Sequence, residues 1–452
     1  MQYKGWNYEK TLLVRSRTEP RQDELIDVRI PLDSRSAGNL ERDVRVILKK
    51  DWHLLQREVP SQVYDIRRGE GVATCRVAFV MDVPALDCRR IGIYYDNPEA
   101  TAPQYQSPLE MAGGALGGSV RTPFFSAGLD PRSGQIKTLA GRFEIPSVDP
   151  LHIPFFDRVQ EHAAVLLAVK DATAGYRAEY VSPAGWEEPE VREDVRGPVF
   201  VKLTRRGRLS WAGCPEPGRC PLCEVTYKFF AHQPYFLVYT HMTFVEDTEV
   251  FGVRMGGLAV NRDLYTHYTF RPVSPNLPET DVEEMGHILI DPQYTADLPA
   301  GSAFSGLLPY NLAWHGFIRV RKGIDCGLAA IQLRDGIRTP GGGFPYYRAA
   351  TYAFREAHAV SCARAPVYVK VCRPENIVRV PAGTVIEHLD AVVCDRFDMD
   401  WGSRVDRLGK RLNDPVEIAV HPRFMLGEVP AEEYEPLPYG QRGDAYRRLG
   451  VR

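Results

Sequence analysis

The sequence lacks a surplus of either charge: across 452 residues, 56 Lys and Arg stand against 58 Asp and Glu, a formal charge of −2. That balance argues against a coat for polyanions and against an acidic solvating tail, so no nucleic-acid partner is expected. It also lacks any apolar run near the roughly 18 residues of a membrane-spanning helix, and no membrane partner is expected either. The opening MQYKGWNYEK has no apolar stretch of the secretory kind. Nine cysteines make an odd set, and most stand singly within apolar runs. Such usage suits a reducing compartment better than a disulfide framework, and the cytoplasm is the expected location. Long stripes of 3.6-residue periodicity are scarce, and no repeat of fixed period occurs. Also missing are a Gly-x-Ser-x-Gly elbow, a His-Glu-x-x-His helix and a dinucleotide fingerprint. No organic cofactor is expected.

What the sequence does have is punctuation. Gly 38 and Pro 35 separate short runs of alternating residues, which predicts a mostly β chain. In CRVAFVMDV, Cys75, Val77, Phe79, Met81 and Val83 share one strand face, with Arg76, Ala78 and Asp82 on the other. EVTYKFF and YFLVYTHMTF flank a short turn at Pro234 and predict a hairpin with bulky apolar side chains, and hence cover, on both faces. Strand-like runs recur through the second half. The best helix candidate is Phe156 to Lys170, whose AAVLLAV core fits a buried strand equally well.

Composition sets the expected boundaries. AGGALGGS, residues 112–119, adds no packing and reads as a linker. It divides an N-terminal β domain, 1–111, from a large antiparallel β-sandwich domain, 120–397. The polar, Pro-interrupted extension 398–452 is expected to wrap over the surface.

VPSQVYD followed by CRVAFVMDVPALDCRRIGIYYDNP resembles the small N-terminal β domain of exo-acting polysaccharide lyases of the rhamnogalacturonan type. LDPRSGQIKTL, GPVFVKLTRRGRLSW and CEVTYKFFAHQPYFLVYTHMTF resemble the strand succession of galactose-mutarotase-like carbohydrate-active proteins. The resemblance covers about the first 270 residues. It implies an antiparallel β-supersandwich, mutarotase-like, preceded by a small β-barrel or sandwich domain, with a carbohydrate substrate or ligand on a broad concave sheet. The large helical domain that such lyases often carry has no counterpart here.

Cleaving a uronate polymer by β-elimination needs a cation for the carboxylate, a base for the C5 proton and an acid for the leaving oxygen. Period-2 reading puts Tyr235, Tyr239 and His241 on one face of their strand, and Tyr265, His267 and Arg271 on one face of theirs. His315, Phe317 and Arg319 share a face, as do Tyr352, Phe354, Glu356 and His358. If these strands are neighbours, their rings and cations make a floor for stacking sugars and pairing carboxylates. The acid/base candidates are His241, His267, His315 and His358, with Tyr265 and Tyr352 as proton donors. Arg319 and Arg355 are candidate clamps, and Tyr239 and Trp314 candidate binding residues. Tyr346, in the loop RTPGGGFPYYR, is a candidate for covering the ligand. The leading expectation is therefore a lyase. Its alternatives are a non-catalytic carbohydrate-binding or scaffold protein and a sugar epimerase or mutarotase, for which Glu387 beside His388 offers the acid/base pair. A glycoside hydrolase ranks lower, since carboxylates are sparse on these faces.

CPEPGRCPLC brings Cys214, Cys220 and Cys223 together in a Pro/Gly loop. A C-x2-C pair with a third cysteine matches half of a zinc knuckle, and a structural zinc is one expectation; loop thiols or a disulfide between two of the three is the other. Asp395, Asp398 and Asp400 alternate but lack the glycine turn and closing glutamate of a calcium loop.

Overall fold

The computed structural model describes residues 5–33, 35, 37–49, 55–145, 148–156, 165–170, 178–186, 189–214, 216–261, 267–272, 286–289, 303–304, 312–319, 325–341, 350–356, 359–368, 377–398 and 400–420. Within them the chain is mostly β, its strands are paired antiparallel, and the sheets stack in layers.

The first layers are a small sandwich. A five-stranded sheet runs in the order Glu417–Val420, Tyr8–Arg15, Cys88–Tyr95, Arg45–Lys49, Leu55–Val59, and a three-stranded sheet in the order Arg21–Asp33, Val72–Val83, Ser61–Arg68. Their shared core contains Cys75, Val77, Phe79, Met81 and Val83, the side chains that strict alternation puts on one face of Val72–Val83. Of the barrel and the sandwich expected for this domain, it is the sandwich that forms.

The opposite face of the three-stranded sheet is buried too, against the largest sheet. That sheet has nine strands in the order Glu190–Arg196, Phe200–Arg208, Leu222–Phe230, Tyr235–Thr243, Val385–Arg396, Cys326–Arg338, Leu312–Arg319, His267–Pro272, Gly286–Leu289. Its outer face offers Phe200, Phe230, Tyr235 and Leu237 to Tyr64 and Ala78 of the small sandwich. Its inner face, with Phe236, Val238, Met242, Phe317 and Val392, shares a core with Val253, Met255, Leu258 and Val260 of a seven-stranded sheet and with Phe125 and Leu139 of a second five-stranded sheet. The expected hairpin, Leu222–Phe230 with Tyr235–Thr243, thus does bury both faces.

A polar knot lies where the small sandwich meets the nine-stranded sheet. Lys228, fully buried, places Nζ 3.0 Å from Asp27 Oδ2 and 4.0 Å from the Phe200 ring centroid. Arg76 Nε donates to Asp27 Oδ1 at 2.9 Å and the Tyr64 hydroxyl to Oδ2 at 2.6 Å. Burial raises the Asp27 carboxyl, but Lys228, Arg76 and the Tyr64 hydroxyl outweigh it and hold the group below its usual range. Lys228 is pulled down to about 8: burial dominates over the opposing pull of the Asp27 carboxylate, which also pairs with Arg76.

Three expectations change. Residues 112–119 do not form a free linker: they close a hairpin between Glu110–Ala112 and Ser119–Arg121, and Gly113 and Gly117 supply the positive φ of that turn. The domain division therefore falls before Glu110. The run read as helix or strand contains the strand Val165–Lys170; residues 157–164 lie outside the described part. The C-terminal extension is more than a surface wrap. It forms the helix Trp401–Asn413, which buries Trp401, Val405 and Leu412 against the outer face of the nine-stranded sheet, and then the strand Glu417–Val420 on the small sandwich. The polar composition of 398–452 hides this helix, whose buried stripe rests on three apolar anchors.

Candidate functional site

The small sandwich and the Trp401–Asn413 helix cover part of the outer face of the nine-stranded sheet. Beyond them, toward Thr243 and Arg338, polar side chains from three adjacent strands meet. His241 stands directly opposite Glu387 across one ladder, and Gly336 opposite Glu387 across the next. Glu387 is the hub: Arg338 donates from Nη2 to Oε1 at 2.9 Å, and the Tyr239 hydroxyl to the same oxygen at 3.2 Å. Arg334 pairs through Nη2 with Oε2. His241 Nε2 lies 3.9 Å from Oε1. Burial pushes the Tyr239 phenol well up, and the Glu387 charge pushes it further, so at neutral pH it is a proton-bearing donor. Glu224, opposite His241, and Arg206, opposite Glu224, extend the row across the sheet.

A β-bulge builds this convergence. Between Gln332 and Arg334 the register with Val385–Arg396 slips by one residue. Ile331 and Leu333 point into the outer-face core, and the slip turns Arg334, Gly336 and Arg338 to that same face. Unbroken alternation would have sent both arginines inward.

His241, His267 and His315 do not come together in one cleft. His241 is half-buried on the outer face. His267 opens its strand, and through Ile318 and Gly327 its register leads to Asp395, eight residues beyond Glu387. With four strand spacings between them as well, the two backbone positions lie about 30 Å apart. His315 is on the inner face, 6% exposed, on the side of Phe317, and Arg319 alternates onto that side. Arg319 is thus no clamp for His241. Tyr352 and Arg355 belong to the strand Ala350–Glu356 of the seven-stranded sheet. Tyr265, Tyr346 and His358, and the side chains of His267, Tyr352 and Arg355, lie outside the described residues.

Trp314 is no sugar platform either. It is 1% exposed, donates from Nε1 to Asp406 Oδ1 at 2.7 Å and packs edge-on against Trp401. Of the candidate binding residues, Tyr239 belongs to the cluster. Glu387 works with His241 and not with its neighbour His388, because consecutive strand residues face opposite ways: His388 lies inward, with Nε2 2.8 Å from Asp390 Oδ2.

The cysteine loop departs from the zinc expectation. Cys214 and Cys220 form a disulfide, and Cys223, on the strand Leu222–Phe230, turns its thiol into the inner core, where burial raises its pKa. Two bonded sulfurs and one buried thiol do not fit a thiolate ligand set. Among the described residues no group of three or more His, Cys, Asp or Glu side chains is placed to hold a metal. No helix among them is long and apolar enough to cross a membrane.

No protein-family model matches the sequence, and no curated protein is similar to it in sequence. Among solved structures, the chain is similar to a protein in glycosyl hydrolase family 38 from Enterococcus faecalis (TM-score 0.50, 9% identity), covering 92% of this chain and 48% of that one. It is similar also to an alpha-mannosidase from Enterococcus faecalis V583 (TM-score 0.52, 8% identity), covering 92% and 46%. A galactose mutarotase-like protein from Lactobacillus casei ATCC 334 aligns over 64% of this chain and all of its own length, with a TM-score of 0.33 and 11% identity. The chain thus spans about half the length of the two Enterococcus proteins, and what it shares with them, over nearly all of its own length, is the fold.

Proposed function

We propose that this chain is a carbohydrate-binding β-sandwich protein that receives a saccharide at the polar cluster on the outer face of its nine-stranded sheet, where Glu387 and Tyr239 are buried and Arg338 and His241 are the more exposed members. The observation that carries the reading is the meeting of Tyr239, His241, Arg334, Arg338 and Glu387 on one face. Hydroxyl-rich ligands are held by several fixed donors and acceptors, and a sheet supplies them without loop ordering. The fold shared with a family 38 glycosyl hydrolase and an alpha-mannosidase supports a role in carbohydrate metabolism.

Binding is favoured over turnover by the state of Glu387. Both of its oxygens already accept hydrogen bonds, which disfavours proton abstraction. A lyase acting on uronate-bearing chains would draw its imidazole from His241 and its cation from Arg338, but the Tyr239 proton is committed to Glu387. An epimerase or mutarotase reading rests on the 3.9 Å approach of His241 to Glu387. Calorimetric titration with a panel of neutral and acidic oligosaccharides tests the proposal, with ultraviolet absorbance and optical rotation followed in parallel. Binding without unsaturated product and without faster anomeric exchange is expected. Catalysed release of unsaturated ends would overturn the binding reading in favour of the lyase.

A further inference from the structure

Glycine in the middle of a strand weakens it and needs a reason. Gly336 lies within the strand Cys326–Arg338, yet it does not have a positive φ, and no heavy atom of the described residues lies within 4 Å of where a Cβ would stand. Neither backbone conformation nor crowding calls for glycine here. What its missing side chain leaves is a notch in the floor, opposite Glu387. The next positions on the same face, Arg334 and Arg338, are each about 7 Å away along the strand.

The walls of this notch are cationic. Arg334 and Arg338 both lean on Glu387, one at each of its oxygens. Arg338 is 67% exposed and spends Nη2 on Glu387, while the rest of its planar fork meets no acceptor among the described residues. A fork anchored at one nitrogen and open along another edge suits a carboxylate or sulfate oxygen pair better than a neutral hydroxyl.

Resting on the saccharide reading above, we infer that the notch over Gly336 receives the acidic group of an anionic saccharide, a uronate carboxylate or a sulfate ester, with Arg338 and Arg334 on its two sides. The group sits where a side chain at residue 336 would be, and the sugar ring lies outward over His241.

The test is titration of the full chain with oligogalacturonate, a sulfated oligosaccharide and a neutral gluco-oligosaccharide, using Gly336→Val and Arg338→Gln. Valine favours strands and fills open space, and residue 338 is exposed, so both variants should keep the wild-type melting temperature. At least one acidic ligand is expected to bind, to weaken with added salt, and to lose about tenfold or more in affinity in each variant; whether oligogalacturonate or the sulfated ligand does so identifies the acidic group. Two results separate the claims. If neutral and acidic ligands bind alike and neither variant matters, the anionic inference falls and the saccharide reading stands. If no saccharide binds the wild type, both fall. An acidic ligand that binds folded Gly336→Val as tightly as wild type would also overturn the notch.

Discussion

Replacing Asp27 by Asn keeps the shape of the side chain but leaves two cations at the join between the small sandwich and the nine-stranded sheet. Lys228 is fully buried and Arg76 only 12% exposed in its side chain. Lys228 can escape by releasing its proton: with its pKa at about 8, neutralising it at pH 7 costs on the order of 1 kcal/mol, which limits its share of the loss. Arg76 has no such escape, and losing its charge-assisted bond adds roughly 1.5–3 kcal/mol. Asp27→Asn should therefore lower unfolding free energy by about 3–4 kcal/mol at pH 7, short of the upper range for a broken buried pair. The pH dependence has a definite sign. The folded pKa of Lys228 lies below its unfolded value, so between the two the unfolded chain binds more protons and stability rises with pH. In the wild type that rise begins near pH 8; in the variant, with Lys228 already neutral, it begins lower. The gap between the proteins should thus narrow by on the order of 1 kcal/mol from pH 7 to 9. Urea unfolding at both pH values measures it. A loss under about 1 kcal/mol, or a gap that widens in alkali, would refute the reasoning.

Other perturbations separate scaffold from site. Trp314→Ala should cost about 3–5 kcal/mol in thermal or urea unfolding while leaving saccharide affinity unchanged, since Trp314 packs under the helix. Glu387→Gln should weaken saccharide binding about tenfold in calorimetry, because both arginines lose the anion that aims them. Cys214→Ser with Cys220→Ser should cost about 2 kcal/mol, the closure entropy of a loop spanning six residues, and metal analysis should find no zinc lost. Without reductant, neither cysteine should react with a thiol reagent; reaction of both would indicate the reducing surroundings that the solitary cysteines suggested.

Alternation made the class legible, and it assigned faces correctly wherever a strand ran unbroken. Val72–Val83 put Cys75, Val77 and Phe79 into one core and Ala78 into another, as its pattern requires. Tyr239 and His241 share a face for the same reason. Alternation says nothing, however, about which strands are neighbours or which face of one matches which face of the next. His241 meets Glu387 across nearly 150 residues of sequence, and His315 turned out to face the opposite way. The arginines were hidden by the slip at Leu333, a one-residue irregularity that no propensity marks. The glycine at 336 was the available clue, since a glycine inside a strand signals a close approach or a gap.

The strand Glu417–Val420 pairs with Tyr8–Arg15, matching Leu12 with Val420. The edge of Tyr8–Arg15 therefore waits, during synthesis, for a segment roughly 400 residues later. Trimming the chain behind the Trp401–Asn413 helix would bare the backbone of Tyr8–Arg15, opening a sticky edge on the same small sandwich that the helix end touches through Arg411 and Asp414.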